Sequence, residues 1–245
     1  MSWFYFSEQA LSTSSSIRVT SDESDNIMNK TPKHIGIIPD GNRRWAVRRG
    51  LAKQAGYGAG LPPGVEFLRL CIKEGVQEVT AYAFTQDNTK RAAVQRRSFQ
   101  KACVDAMDIF KGEDVRVLIV GDTESHMFPK ELLPYTIRTT FGKGSIKVNV
   151  LVNYGWQWDL QALTRWPHNG KRKMPNVAHL LRSADISRID LIMRWGGRRR
   201  LSGFLPVQSV YADFYVIDEL WPDFKPEQFH AALDWYKRQD ITLGG

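Results

Sequence analysis

The feature of this sequence that most constrains its fold is the alternation of short apolar runs with amphipathic segments. Strand-length apolar runs occupy residues 34–39, 78–84, 115–120, 146–152 and 189–193. Patterns with helical period occupy residues 62–73, 91–111, 130–141, 157–164 and 226–238. This alternation predicts an α/β fold, in which a mostly parallel sheet is covered by helices. Ligands of such sheets bind beyond the carboxyl ends of the strands, so functional side chains should directly follow the apolar runs.

The length and the apolar content limit the domain organisation. A chain of 245 residues, 42% of them hydrophobic, fits one domain better than two. No apolar run approaches the roughly 20 residues needed to span a bilayer. The first residues lack the basic segment that opens a secretory signal. We therefore expect a flexible extension over residues 1–30 and a single domain over residues 31–245, located in the cytoplasm.

The net charge of +8 predicts an acidic partner, which leaves nucleic acid, an anionic membrane surface or a phosphorylated small molecule. The two cysteines, Cys71 and Cys103, lie in apolar, helix-like surroundings that are typical of packed thiols in a reducing compartment. None of the five histidines has the spacing of metal ligands. The positions of the basic residues must therefore distinguish among the three kinds of partner.

One basic cluster follows the first apolar run and begins with Asp40 and Gly41, followed by Asn42, Arg43 and Arg44. A glycine at the start of a helix leaves backbone amides free to bind phosphate, and guanidinium groups bind phosphate oxygens in pairs. A carboxylate beside a bound diphosphate can hold a divalent cation. The alternative is an ordinary Asp-Gly turn before a solvated helix.

A second basic cluster follows the fifth run, where four arginines at positions 194 and 198–200 surround Gly196 and Gly197. Arginine suits bidentate recognition of phosphate, although stretches rich in Arg and Gly also bind nucleic acid. This cluster is bracketed by an apolar strand and by the apolar residues 204–207, so it belongs to the fold. We therefore expect a phosphorylated small molecule and no nucleic acid.

Five ordered blocks of the sequence resemble the cis-prenyltransferases, the undecaprenyl and dehydrodolichyl diphosphate synthase family. The blocks are HIGIIPDGNRRWA, AYAFTQDNTKR, NYGWQWD, DLIMRWGGRRRLSGFLPVQSVYADFY and ELWPDF. The resemblance covers the chain from about residue 33 to its end. It implies a sheet and helices that enclose a hydrophobic tunnel, and a homodimer that joins an allylic prenyl diphosphate to a five-carbon isoprenoid diphosphate. A hydrophobic product would bring such an enzyme into peripheral contact with a membrane.

The resemblance also implies site residues. Asp40 and Asn88 correspond to catalytic residues, and Asp40 would hold Mg²⁺ together with Asp213, which stands where the family usually has a glutamate. Residues that correspond to substrate-binding positions are Gly41, Asn42, Arg43, Arg44, Lys53, Tyr57, Phe84, Arg91, Arg194, Arg198, Arg200 and Ser202. Within this set, Arg194, Arg200 and Ser202 match the clamp for the diphosphate of the five-carbon partner.

Several positions depart from the family pattern, and they cluster around the implied site. Tyr57 replaces a histidine, Thr89 replaces a tryptophan, and Trp195 and Arg198 replace a threonine and a glutamate. Drift explains any one of these changes, whereas their clustering suggests altered substrate use. One such use is an irregular, head-to-middle coupling with dimethylallyl diphosphate. A different class of function, a non-catalytic partner subunit of a prenyltransferase complex, also remains open.

Overall fold

The computed structural model describes residues 30–165 and 176–239, and a seven-stranded sheet is its centre. The strands are β1 His34–Ile38, β2 Glu78–Thr85, β3 Val115–Val120, β4 Thr139–Thr140, β5 Ile146–Tyr154, β6 Leu191–Arg194 and β7 Asp213–Val216. Their order is β4-β3-β5-β2-β1-β6-β7, and every neighbouring pair is parallel except β3 with β4. The predicted α/β fold is confirmed. Most of the predicted extension, residues 1–29, lies outside the described residues.

Six α-helices surround the sheet in the described part of the chain. They are α1 Asn42–Arg48, α2 Ala55–Ala59, α3 Leu61–Lys73, α4 Ala93–Phe110, α5 Trp156–Leu160 and α6 Pro226–Lys237. Short 3₁₀ turns lie at Gln86–Lys90, Lys130–Thr136, Gln161–Arg165, Val177–Leu180 and Trp221–Asp223. None of the helices described here is long and apolar enough to cross a bilayer.

Aromatic packing joins α3 to the sheet and to α6. Phe67 of α3 is buried and meets the rings of Trp195, Trp221, Phe224 and Phe229 edge to face, at centroid distances between 5.3 and 6.3 Å. Edge-to-face contacts of this kind add to the stabilisation that comes from area burial alone. These rings form one wall of the main core.

Both cysteines lie inside the core. Cys71 of α3 and Cys103 of α4 are buried and unbonded to each other. Burial raises the pKa of the Cys71 thiol well above its usual value and that of Cys103 to about 12. Both thiols therefore stay protonated at neutral pH, as expected for packing residues.

The amino ends of the central strands carry a buried polar network. The His34 ring, on β1, lies 2.8 Å from Thr80 Oγ1, and the Asn149 amide donates to Glu78 Oε1 at 2.7 Å and to Thr80 Oγ1 at 2.9 Å. Ser187 Oγ donates to the second oxygen of Glu78 at 2.9 Å. These groups pair with one another, so their burial avoids the cost of unsatisfied polar atoms. These hydrogen bonds hold the strands together near their amino ends.

His34 makes the stability of the fold sensitive to acid. Burial lowers the pKa of its imidazole below the ordinary 6.5, because the charged ring loses water. Below that pH the unfolded chain binds the proton more readily, so the free energy of unfolding should fall by up to ~1.4 kcal/mol per pH unit. Urea titrations between pH 7 and 5 should show this loss, and His34→Gln should flatten it. Equal pH slopes for both proteins would contradict the assignment.

Candidate active site

A basic cavity of about 750 Å³ lies at the carboxyl ends of β1, β2 and β6. Three segments form its walls: the turn and helix α1 after β1, the 3₁₀ turn after β2, and the loop after β6. This is the edge of a parallel sheet where ligands bind. Predicted site residues that line the cavity are Asp40, Gly41, Asn42, Arg43, Arg44, Lys53, Tyr57, Asn88, Arg91, Arg194, Arg198, Arg200 and Ser202.

Asp40 connects the two basic clusters. Arg194 Nη2 donates to Asp40 Oδ2 at 2.9 Å, and Arg44 Nη2 lies 3.5 Å from the other oxygen. Arg44 Nη2 also donates to the carbonyl of Gly196 at 3.0 Å. Gly41 has φ of 109°, where a side chain would be strained and would collide with Leu220 at 2.7 Å. The backbone turn that aims Asp40 into the cavity therefore requires glycine.

Arg194 is the best anchored cation of the site. It is the last residue of β6, it is buried, and besides Asp40 it donates to Ser202 Oγ at 3.0 Å and to the carbonyl of Arg200. A guanidinium group serves several acceptors in one plane, which an ammonium group cannot do. Arg194 thus holds the loop after β6 against Asp40.

The cavity carries a strong excess of positive charge. Its basic lining residues are Arg43, Arg44, Arg48, Lys53, Arg91, Arg194, Arg198 and Arg200, and its carboxylates are Asp40 and Asp87. Concave sites lined by one sign of charge concentrate ligands of the opposite sign. Eight cations beside two carboxylates favour bound molecules that carry several negative charges.

The 3₁₀ turn after β2 fixes Asn88. Its backbone N–H donates to Thr85 Oγ1 at 3.3 Å, and its side-chain oxygen accepts from the Thr85 N–H at 3.4 Å. This reciprocal pair is a capping box, which sets the direction of the turn. Asn88 thereby lines the cavity.

Two predicted residues do not reach the cavity. Phe84 is fully buried in the core, behind Ala83 and Thr85, which do line it. Asp213 is the first residue of β7 and lies level with Leu191 and Ile35. It is therefore at the amino ends of the strands, whereas Asp40 follows the carboxyl end of β1. The prediction that Phe84 lines the substrate site is therefore wrong for this cavity. The prediction that Asp213 shares a metal site with Asp40 is wrong within one chain, because the two residues lie at opposite ends of the strands.

Trp195 also differs from its expected role. Its ring is fully buried among Phe67, Trp221 and Phe224, and its indole N–H donates to Gln228 Oε1 at 3.0 Å. The strand alternation directs it to the core side while Arg194 faces the cavity. Of the two substitutions in the second cluster, Arg198 alone changes the lining of the cavity.

Sequence reasoning missed nine lining residues, among them Arg48, Tyr82, Asp87 and Phe99. Tyr82 and Asp87 stand inside a block that was recognised, and Tyr82 donates to the Ser202 carbonyl at 2.9 Å. Burial raises the pKa of the Tyr82 phenol, which therefore stays protonated as a donor. For Phe99, the sequence offered no indication of a role in the site beyond its position on an amphipathic helix.

The donor set fits a magnesium ion that is shared with a substrate. The described residues contain no group of three His, Cys, Asp or Glu side chains that could enclose a metal. Mg²⁺ commonly binds through one or two carboxylates plus substrate phosphates and keeps several waters. Asp40, partly exposed in the cavity, supplies such a carboxylate.

Gly56 keeps α2 close to the start of α1, which lines the cavity. A Cβ at this position would lie 2.0 Å from the carbonyl oxygen of Asn42, whereas a Cβ at Gly58 would meet nothing within 4 Å. We expect Gly56→Ala to lower the free energy of unfolding by ~1–3 kcal/mol. Gly58→Ala, on the same helix, should raise it by up to ~1 kcal/mol. Urea unfolding followed by tryptophan fluorescence compares the two, and equal effects would contradict the backbone contact.

A mostly parallel sheet with a cationic, carboxylate-containing pocket at the carboxyl ends of its strands is typical of proteins that bind anionic ligands, such as diphosphates. A family model described as putative undecaprenyl diphosphate synthase matches residues 38–244. The chain therefore belongs to this family, the cis-prenyltransferases, and is a prenyltransferase of isoprenoid biosynthesis.

Individual relatives agree with the family assignment. An isoprenyl transferase of Nitrosomonas europaea is 32% identical over 225 residues, which cover 87% of this chain and 85% of the relative. The ditrans,polycis-undecaprenyl-diphosphate synthase ((2E,6E)-farnesyl-diphosphate specific) of Escherichia coli is 29% identical over 227 residues, 87% of this chain and 90% of that protein. The crystal structure of lavandulyl diphosphate synthase from Lavandula x intermedia, in complex with dimethylallyl diphosphate, aligns with a TM-score of 0.76. It is 21% identical and covers 88% of this chain and 99% of that one, which shows a shared fold.

Proposed function

We propose that the protein condenses an allylic prenyl diphosphate with a five-carbon isoprenoid diphosphate on a single domain over residues 31–245 and releases pyrophosphate. The observation that carries the proposal is the ion pair between Asp40 and Arg194, which joins two basic clusters in one cavity. Two clusters suit two diphosphates, one on the allylic substrate and one on its partner.

The reaction begins when the carbon–oxygen bond of the allylic diphosphate breaks and pyrophosphate leaves with the electron pair. The π electrons of the partner then form the new carbon–carbon bond, and a proton leaves the partner. Negative charge grows on the leaving group, and preorganised cations stabilise it better than water does. Holding the two substrates side by side supplies much of the remaining acceleration.

The chain's own residues divide this work. Gly41, Arg43 and Arg44, at the start of α1, bind the allylic diphosphate. Arg194, Arg200 and Ser202 hold the partner, and Asn88 lies over the reacting groups. Asp40 would hold Mg²⁺, which when bound neutralises charge that develops on the leaving diphosphate.

Pyrophosphate release tests the proposal and separates an enzyme from a partner subunit. We expect the purified protein alone, given dimethylallyl, geranyl or farnesyl diphosphate with isopentenyl diphosphate and Mg²⁺, to release pyrophosphate. A non-catalytic partner subunit should release none by itself and should restore turnover only when mixed with an active homologue. The presence of Asp40 and of both clusters supports the enzyme.

The lining of the second cluster favours a second candidate reaction, the irregular coupling in which dimethylallyl diphosphate is the nucleophile. Arg198 adds a cation where the family has an acid, and a displacement of the partner's double bond by roughly an ångström is enough to change the attacking carbon. The solved lavandulyl diphosphate synthase, which has the same fold, holds dimethylallyl diphosphate.

Incubation with dimethylallyl diphosphate as the sole five-carbon substrate, with and without a longer allylic diphosphate, distinguishes the two reactions. Irregular coupling yields a branched product, which mass spectrometry and NMR identify after dephosphorylation. Absence of any branched product there, together with repeated extension in a parallel incubation that contains isopentenyl diphosphate, would exclude it. An Arg198→Glu variant, which restores the family's acid, should shift turnover toward isopentenyl diphosphate.

We further propose that the enzyme works as a homodimer in the cytoplasm and that its hydrophobic product brings it into peripheral contact with membranes. Light scattering during size-exclusion chromatography measures the mass of the particle in solution, and we expect twice the mass of one chain. Sedimentation with phospholipid vesicles, before and after turnover, tests whether bound product increases membrane association.

A further inference from the structure

The loop after β6 carries residues assigned to the five-carbon partner, and few hydrogen bonds hold it. Besides one local turn bond, the hydrogen bonds that reach residues 198–203 in the part of the chain that the structure describes come from two side chains. Arg194 donates to the Arg200 carbonyl and to Ser202 Oγ. The second donor is Tyr82 of β2, whose hydroxyl donates to the Ser202 carbonyl at 2.9 Å. The backbone position of Ser202 therefore depends on Tyr82.

The backbone of this loop adopts conformations that need support from its surroundings. Ser202 has φ of 55° and Gly203 has φ of 82°, both in the left-handed region. A serine rarely adopts this conformation, which persists only where the surrounding structure determines it. At Ser202 the support comes from the Tyr82 hydrogen bond to the carbonyl and the Arg194 hydrogen bond to the side chain. Loss of either bond should change the shape of the loop.

The Tyr82 ring is itself held firmly on the sheet. It meets the ring of Tyr154, on β5, edge to face at 6.2 Å and 77°, and it packs on Phe204 at 5.3 Å. Tyr154 is fully buried, and its hydroxyl donates to Asp159 Oδ2 at 2.8 Å. The Tyr82 hydroxyl is thus a donor on a rigid element, which suits a group that sets the geometry of another group.

A second aromatic side chain covers the loop from the outside. A Cβ at Gly203 would lie 2.7 Å from Cδ1 of Trp156, the first residue of α5, so the indole packs directly on the Gly203 backbone. Trp156 is 43% exposed, and its substitution should therefore spare the fold. Tyr82 and Trp156 thus restrict two consecutive residues of the same loop, Ser202 and Gly203.

The Ser202 hydroxyl is the group that this support presents to the cavity. Its oxygen accepts from Arg194 Nη1 at 3.0 Å, so its own hydrogen remains to donate to an anionic oxygen. Ser202 and Tyr82 both line the cavity. A hydroxyl binds a diphosphate oxygen only within ~3 Å, so a small displacement of the loop removes the contact.

We propose that Tyr82 is a positioning residue of the prenyl transfer, which fixes the Ser202 backbone so that the Ser202 hydroxyl meets the diphosphate of the five-carbon partner. This inference rests on the proposed function and adds to it a residue that need not touch the reacting atoms. Trp156 acts with Tyr82 by holding Gly203. Because this loop is assigned to the partner, loss of either contact should weaken binding of the partner and spare the allylic diphosphate.

Tyr82→Phe tests the proposal, since it removes the hydroxyl and keeps the ring. With an allylic diphosphate that the wild type accepts, it should raise the KM for the five-carbon partner ~3–10-fold, the equivalent of one neutral hydrogen bond. The KM for the allylic substrate should change less than ~2-fold. Initial rates of pyrophosphate release with each substrate varied in turn give both constants. Trp156→Ala should raise the same KM selectively, and it provides the test if Tyr82→Phe does not fold.

Tyr154→Phe is the matched control. It removes a buried hydroxyl from the neighbouring ring, but the lost bond goes to Asp159 and not to the loop. This variant should lower the free energy of unfolding without changing the ratio of the two KM values.

A double-mutant cycle with Ser202→Ala separates positioning from general destabilisation, because alanine keeps the carbonyl that Tyr82 binds. If Tyr82 acts through the Ser202 hydroxyl, the effect of Tyr82→Phe in the Ser202→Ala background should fall to ~2-fold or less. A merely structural role would give the same effect in both backgrounds.

Three results would overturn the role of Tyr82 while prenyl transfer stands. They are a partner KM that Tyr82→Phe leaves unchanged, an equal rise for both substrates, and an undiminished effect in the Ser202→Ala background. Failure of the proposed function differs, because the wild type then releases no pyrophosphate with any substrate pair. In that case calorimetric titration with inorganic pyrophosphate decides. Tyr82→Phe should bind it more weakly than the wild type and Tyr154→Phe equally well, whereas equal affinities of all three proteins, or no binding by the wild type, would defeat the proposal.

Discussion

Replacement of Asp40 by alanine should abolish turnover while leaving the fold in place. Loss of a preorganised charged group at the reacting centre costs at least ~10²-fold in kcat by comparison with other enzymes. The variant also releases Arg194, which would then keep only Ser202 and the Arg200 carbonyl as acceptors. Steady-state pyrophosphate release together with circular dichroism measures both effects.

Asp40→Asn is the informative companion variant, since its amide oxygen can still accept from Arg194 but carries no charge. If Asp40 acts through magnesium, both variants lose turnover and both lose Mg²⁺ binding measured by calorimetry in the presence of inorganic pyrophosphate. A variant of Asp40 with near-normal turnover would remove this residue from the mechanism.

Substitution of Arg194 should have the second largest effect, and it should impair both substrates. The resemblance alone assigns Arg194 to the five-carbon partner, yet its 2.9 Å contact with Asp40 ties it to the allylic side as well. Arg194→Ala should lower kcat/KM ~10²-fold for each substrate, because two or three charge-assisted hydrogen bonds are lost. Arg194→Lys should recover little, since one ammonium group cannot reproduce the planar fork.

Arg200→Ala provides the contrast for Arg194. Arg200 lines the cavity and has no contact with Asp40 among the hydrogen bonds and ion pairs found in the described residues. Its loss should raise the KM for the five-carbon partner and leave that for the allylic substrate nearly unchanged. Initial rates with each substrate varied in turn give both constants. A selective effect of Arg194→Ala on the partner would mean that the Asp40 contact is broken when substrates bind.

The strands that the sequence predicts well are those buried on both faces. Residues 115–120, for example, are apolar except for Arg116, which is typical of a largely buried parallel strand, and they match β3. Strand β7, partly exposed along its whole length, has no such run and was missed. The predicted helix over 130–141 is a 3₁₀ turn followed by β4, because Pro134 cannot continue an α-helix.

Prediction of the site was limited by side-chain direction and by strand pairing. The pairing of Ile38 with Arg194 brings Asp40 into contact with Arg194, 154 positions further along the chain, and no local pattern encodes that register. Near Phe84 the pairing of β2 with β5 shifts, so the face to which this ring points does not follow from simple alternation. Residues such as Phe99 become visible only once α4 is placed against β2.

The cations of the cavity stand on two kinds of support. Arg194 is the last residue of a buried strand. By contrast, Arg198 lies in a loop, Arg91 directly follows a 3₁₀ turn, and Arg43 lies at the start of a short helix. Groups on rigid strands hold their geometry better than groups on connecting segments. Variant libraries confined to the connecting segments should therefore redirect substrate choice while retaining the Asp40–Arg194 centre, which makes this scaffold a practical starting point for new isoprenoid couplings.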